Sequence, residues 1–286
     1  MESLPALIAL QDVMCQLITP RRRNPSSEKL IKRLVADVWA VRLGLRSACL
    51  LDGVAINEEM AIQIADGMKD TCDHQSITGS CSPSIRIQIT CLANLVVFHE
   101  RLSSSTFICS RSLWKTREEP TGRAICIDLS STPAKILDQI PGPVQRVLET
   151  CAASDQLQAS NRMIVELQPA STMICLAGLF LGYPCTYWNC STNQLVSGPL
   201  KVVQVNLFQL TPSAEEVPIL PPRHQLMAFS FPAAFDYPGS SLESSKLIHH
   251  LKHQIQEKMR GAGCSYGWRE VEIHVAQNLN IERVAL

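Results

Sequence analysis

Charge of neither sign predominates in this chain, where 26 Lys and Arg stand against 26 Asp and Glu over 286 residues. A balanced chain has no long-range field for gathering polyanions or anionic lipid, so nucleic acid is disfavoured as a partner. Charge is also sparse, 18% of residues against 46% hydrophobic, the reverse of a disordered composition. The stretch between Glu166 and Lys201 carries no charge at all, yet it is continuously apolar only from about Met173 to Tyr183. That is far short of the ~20 residues that cross a bilayer, and no membrane partner is expected. The apolar start, Met1 to Leu10, has Glu2 within it and Asp12 after it, without the basic beginning and small-residue cleavage site of a secretion signal. A soluble protein of the cytoplasm is expected, with the nucleus left open by the basic run Arg21 to Arg23.

Several catalytic signatures are missing as well. The chain contains no G-x-S-x-G elbow, no phosphate loop ending in Gly-Lys-Ser or Gly-Lys-Thr, and no G-x-G-x-x-G after a strand. Gly261-Ala262-Gly263 follows a helical pattern and precedes a strand, the wrong order for dinucleotide binding, so no cofactor is expected. Twelve cysteines are present, but no C-x-x-C occurs, and Cys185 with Cys190 lacks the second pair a zinc site needs. Most sit inside apolar runs, such as Cys49, Cys109, Cys126 and Cys175, where a reduced thiol behaves as a small hydrophobe.

What is present is a well-patterned interior. Leu4 to Ile18 has helical spacing, with Ile8, Val13 and Leu17 available as a stripe. Leu30, Leu34, Val38 and Val41 predict a second helix capped by Ser26 or Ser27, and Ala48 to Leu51 a short buried strand ending at Asp52-Gly53. Glu58 to Asp66 reads as a helix, Ile85 to Ile89 as a half-buried strand, and Leu95 to Phe98 and Ala124 to Ile127 as buried strands. Residues 102–122 read as a long loop or insertion. A helix is expected to start at Ser131 or Thr132 and resume after Pro143, and Ala177 to Gly182 reads as a buried helix. Cys185 to Asn189 and Leu200 to Phe208 look like antiparallel neighbours, followed by a strand at Leu226 to Phe231. Ser240 and Glu243 suggest a capping box for a helix reaching Arg260, and Val271, Ile273 and Val275 a final strand. Helices and strands alternate early and strands run consecutively late. The expected fold class is therefore α/β or α+β, a mixed sheet covered by helices in one domain spanning residues 1–286.

Candidate site residues follow from strand ends and alternation. Asp52 and Asp128 each close a buried strand, where ligands collect in open α/β sheets, and they are the weak catalytic candidates. Leu50-Leu51-Asp52-Gly53-Val54 resembles the first motif of haloacid-dehalogenase-like phosphotransferases, but Leu50 occupies the nucleophile's place, which favours a plain Asp-Gly turn. Glu270, Glu272 and His274 share one side of the last strand and are the weak metal candidates, although any strand with one wet face shows the same alternation. His249 and His253 sit four apart on a helix but lack the neighbouring glutamate of a metalloprotease and fall opposite the apolar face.

Leu-Ala-Gly-Leu-Phe-Leu-Gly-Tyr-Pro from Leu176 to Pro184, together with Leu-Arg-Ser-Ala-Cys-Leu-Leu-Asp from Leu45 to Asp52, resembles an uncharacterised vertebrate family known by a chromosome-1 open-reading-frame label. That family has no assigned reaction or catalytic residues, so the resemblance implies an intracellular domain of unknown function and transfers no site. A binding or regulatory module with an unknown protein partner is the leading expectation, leaning away from an enzyme. The alternative is a metal-assisted hydrolase or phosphotransferase-like enzyme using the strand-end aspartates.

Overall fold

Ile31, Leu34, Val35, Val38 and Trp39 recur at three- and four-residue spacing, so Pro25–Arg42 forms helix α1 with that stripe buried and Lys29, Lys32 and Arg33 on the wet side. The computed structural model describes residues 7–8, 10–12, 14–15, 25–73, 94–115, 124–154, 160–189, 198–209, 220–261 and 268–279. α1 begins ahead of Ser26 and Ser27, which therefore lie inside its first turn. In the helical stretch before it, Leu7, Leu10 and Met14 are buried while Ile8 points outward, so the apolar stripe is rotated from the expected one.

Beyond α1 the chain runs through β1 (Ala48–Leu50), α2 (Glu58–Asp73), β2 (Leu95–Glu100), β3 (Ser105–Ser110), the short α3 (Ser112–Lys115), β4 (Ile125–Asp128), β5 (Lys135–Leu137), α4 (Gly142–Ala153), β6 (Arg162–Val165) and α5 (Ala170–Phe180). It continues with β7 (Cys185–Trp188), β8 (Leu200–Phe208), β9 (Arg223–Pro232), α6 (Ser244–Gly261) and β10 (Glu270–Leu279). The arrangement is α+β, with the strands divided among three sheets ordered β1-β3-β2-β6, β10-β8-β9 and β5-β4-β7. Two of the sheets are mixed, because β6 runs parallel to β2 and β7 parallel to β4. A single core cluster draws on all three sheets, joining Val97 and Ile108 to Ile127 and Tyr187 and to Val203 and Phe229.

Three local expectations change. Part of the segment expected as a loop is the strand β3, because Phe107, Ile108 and Cys109 pair with β2 and are buried; residues 116–123 lie outside the described set, as does the strand expected at 85–89. No helix starts at Ser131: Asp128 accepts bonds from the N–H and hydroxyl of Ser130, the chain reverses, and Lys135–Leu137 pairs back on β4. Nor are the segments at 185 and 200 neighbours, since β7 completes the β4 sheet while β8 lies between β9 and β10.

α5 lies against β7 at a close approach that only a glycine permits. A Cβ on Gly178 would stand 2.4 Å from Thr186 Oγ1 and 2.6 Å from its Cβ. The same threonine hydroxyl donates to the carbonyl of Cys175 at 3.1 Å. Two residues on from Gly178, Phe180 meets Phe98 and Phe107 edge-on at centroid distances of 4.9 and 5.6 Å, filling the second core. Cys49, Cys109, Cys126, Cys151, Cys175 and Cys185 are buried and free; burial pushes the thiols of Cys49 and Cys185 up to about 12. Among the described residues no helix is long and apolar enough to cross a membrane.

α6 buries Leu247, Leu251 and Ile255 and leaves His249 and His253 in solvent. Its start differs from a capping box. Asp236 Oδ1 accepts the Ser244 N–H at 2.8 Å, and Glu243 accepts from the Gly239 N–H at 2.9 Å and from Lys246 Nζ at 2.8 Å. Lys246 foremost, then Gly239 and Ser245, holds the Glu243 carboxyl down to about 2.

Two measurements check these contacts. Gly178→Ala overpacks the α5–β7 contact and is expected to lose about 1–3 kcal/mol in urea unfolding. For Glu243 the folded-state pKa lies below the unfolded value, so its stabilisation is present above about 4.5 and disappears as pH falls towards about 2. Glu243→Gln should therefore lower the melting temperature at neutral pH and flatten the melting curve's dependence on pH across that window.

Candidate functional site

The wet side of α1 does not face open solvent along its whole length. Opposite its first turns stand the end of β1, the Leu181–Tyr183 turn after α5 and the first half of β9, and the space between is a cleft of about 990 Å³. Arg33 closes one side: its guanidinium donates to the backbone carbonyl of Asp52 at 3.1 Å and pairs with the Asp52 carboxylate. The turn carrying Asp52 stays near α1 because Gly53 has φ +81°, and a Cβ there would sit 3.2 Å from Leu30 Cδ1. Lys32 pairs with Glu28 at 2.9 Å one helical turn back.

Three ionisable groups form the floor. Asp37, Arg46 and His224 are 8%, 8% and 4% exposed, and all three line the cleft. Arg46 donates from Nη1 to Asp37 Oδ1 at 3.0 Å and to the carbonyl of Leu226 at 2.9 Å, and from Nε to the carbonyl of Ala48 at 2.6 Å. One guanidinium thereby ties α1, β1 and β9 together. His224 stacks on Trp268, centroids 4.9 Å apart, and brings Nε2 to 3.4 Å from Asp37 Oδ1 without the alignment of a hydrogen bond. Trp268 is itself held by a bond from Nε1 to the carbonyl of Pro221 at 3.2 Å. Burial raises the Tyr183 hydroxyl above its ordinary range, so it faces the cleft as a neutral phenol.

The lining's chemistry is lopsided. Among the described residues it contains no serine, threonine or cysteine, and its one side-chain hydroxyl is the phenol of Tyr183. Its three carboxylates, Glu28, Asp37 and Asp52, are each held by a cation, Lys32, Arg46 and Arg33 respectively. Leu30, Leu50, Leu226 and Met227 supply apolar surface between them.

The residues singled out in the sequence are not brought together. Asp52 lines the cleft, but Asp128 does not: its carboxylate accepts the Ser130 N–H at 2.9 Å, the Ser130 hydroxyl at 2.8 Å and Asn189 Nδ2 at 2.9 Å. Partial burial raises its pKa, and those hydrogen bonds outweigh it, leaving Asp128 below the usual carboxylate range. Glu270, Glu272 and His274 do share the wet side of β10, where His274 Nε2 lies 3.2 Å from Glu272 Oε2 in solvent. Among the described residues no three His, Cys, Asp or Glu side chains converge as a metal-ligand set. Sequence reasoning passed over Asp37, Arg46, Tyr183 and His224. Asp37 carried a usable signal, a carboxylate within Leu34-Val35-Ala36-Asp37-Val38-Trp39, on the side of the helix that the spacing buries.

The profile of a family described as a domain of unknown function, DUF4504, covers residues 110–283, a span that takes in Tyr183 and β9 but not α1 or β1. No curated protein and no solved structure matches the chain.

The floor makes a direct prediction. Arg46→Met leaves the Asp37 carboxylate buried without its cation and is expected to cost about 3–5 kcal/mol in denaturant unfolding. The double variant Asp37→Leu/Arg46→Met should recover most of that loss, because no buried charge is then left unpaired.

Proposed function

The chain belongs to the DUF4504 family, and from that premise we propose that it acts by binding a protein partner rather than by catalysis, with the α1–β9 cleft as the site. One observation carries this reading: the cleft pairs each of its carboxylates with a cation and, among the described residues, is lined by no serine, threonine or cysteine, yet keeps an apolar lining. Such a site is equipped to hold and orient. The rival, a metal-assisted hydrolase or phosphotransferase built on Asp52 and Asp128, loses support because Asp128 is taken up by its own turn and only Asp52 lines the cleft.

With this reading go a cytoplasmic or nuclear location, one domain across residues 1–286, and kinship with the vertebrate family that Leu45–Asp52 and Leu176–Pro184 resemble. The core cluster shared by all three sheets supports the single domain.

A photo-crosslinking residue placed at Gln225, exposed in the cleft wall, is expected to give partner adducts in cells that the same residue at His250 on α6 does not give. Equal adducts at both positions would refute the assignment of the cleft. Turnover of a phosphomonoester or carboxylic-ester panel by the purified full chain, abolished by Asp52→Asn, would replace binding with catalysis.

A further inference from the structure

β1 and β9 are both edge strands, each at the end of its sheet. Their edges face each other across Arg46, whose guanidinium donates to Ala48 on one and to Leu226 on the other. It supplies to the two carbonyls what the N–H groups of an intervening strand would supply. The ladder pattern shows which backbone groups point outward. In β1 the residues flanking Ala48 and Leu50 bond inward, through Ser47 O to the Ser110 N–H and through the Leu51 N–H to Thr106 O. Ala48 and Leu50 therefore present their N–H and C=O to the outer edge. In β9 the Ser230 carbonyl is taken from outside by the Tyr187 hydroxyl, and the regular register from Ser230 back to Met227 puts Ala228 on the outer edge as well; Leu226, whose carbonyl Arg46 takes, stands where the register with β8 shifts by one residue. Leu50 and Ala228 both line the cleft, and among the described residues their outward groups have no backbone partner.

The walls add a charge preference. His224 aside, the lining carries five cations, Lys29, Lys32, Arg33, Arg46 and Arg223, against Glu28, Asp37 and Asp52, an excess of two in a chain whose Lys and Arg balance its Asp and Glu. Those three carboxylates are matched to Lys32, Arg46 and Arg33, so the excess resides on Lys29 and Arg223, both exposed and neither in an ion pair among the described residues.

We propose that the occupant of the cleft is an extended acidic segment of the partner, which lies along the outer edge of β9, pairs its backbone with that edge, and sets its carboxylates against Lys29 and Arg223. The inference rests on the cleft being the binding site and adds the conformation and charge of what binds. Strand addition of this kind takes affinity from main-chain bonds and specificity from alternate side chains. Six residues in succession, Arg223–Ala228, line the cleft, which suits a guest of about seven residues at ~3.3 Å per residue.

The test uses the full chain and a fluorescein-labelled peptide of about seven residues alternating glutamate and valine, read by fluorescence anisotropy. Binding is expected, weakening about tenfold or more in the Lys29→Glu/Arg223→Glu variant and falling with added salt. Both side chains are exposed, so an unchanged melting transition verifies that the variant is folded. The same peptide N-methylated at alternate amides, in either register, should lose binding in the register that blocks the β9 edge. Equal binding of a lysine–valine peptide would overturn the charge assignment, and indifference to N-methylation in both registers would overturn strand pairing. Absence of peptide binding while the Gln225 crosslink still forms would sink this inference and leave the cleft as the site; loss of the crosslink would remove the cleft itself.

Discussion

A single buried guanidinium sets the relation between the helix, the first strand and the ninth. Arg46 follows α1 directly, so its position is local to the chain, yet its bonds to Asp37, Ala48 and Leu226 join segments up to 180 positions apart in sequence. Burying such a pair carries a large desolvation penalty, and apolar residues of the same volume often do as well or better for stability. The pair is more telling for what it fixes: two strand edges are held a guanidinium's width apart, and the cleft exists because they do not close on each other. Removing Arg46 would free both edges and strand a carboxylate beneath them.

Several elements of the fold border this gap. β7 passes by the far part of β9, where the Tyr187 hydroxyl reaches the Ser230 carbonyl at 2.9 Å. α5 is set against β7 by the Gly178–Thr186 contact, which delivers Leu181 and Tyr183 to the cleft's inner end. Trp268 braces His224 from behind. The walls are therefore built from separate layers, and the binding surface depends on packing among them more than on any loop.

Much of this was legible from periodicity, and the failures have a common physical origin. α1, α6 and β10 announce themselves through three-and-four or alternating spacing, because one face of each is buried over several turns or several pairs, while β2 shows as a short apolar run buried on both faces. Which strands pair is another matter: β7 and β8 follow each other in the chain but belong to different sheets, and alternation says nothing about a partner. Asp128 looked functional because it ends a buried strand, and its carboxylate is taken up by the adjacent turn and by Asn189. At the floor of the cleft, Arg46 and His224 are paired or stacked with groups far away in sequence, so neither stands out in its own neighbourhood. Asp37 is the exception, since a charge on the buried side of a helix has to be met by something.

The buried thiols give the molecule a set of internal reporters. Cys49 on β1 and Cys109 on β3 point into the two different cores, Cys126 and Cys175 have sulfurs 3.8 Å apart between β4 and α5, and Cys185 lies in β7 beside β9. A thiol sealed in the interior does not meet a reagent from water. Maleimide labelling, followed position by position, would thus record how often each layer breathes, and so whether the seam at Arg46 opens before the sheets themselves come apart.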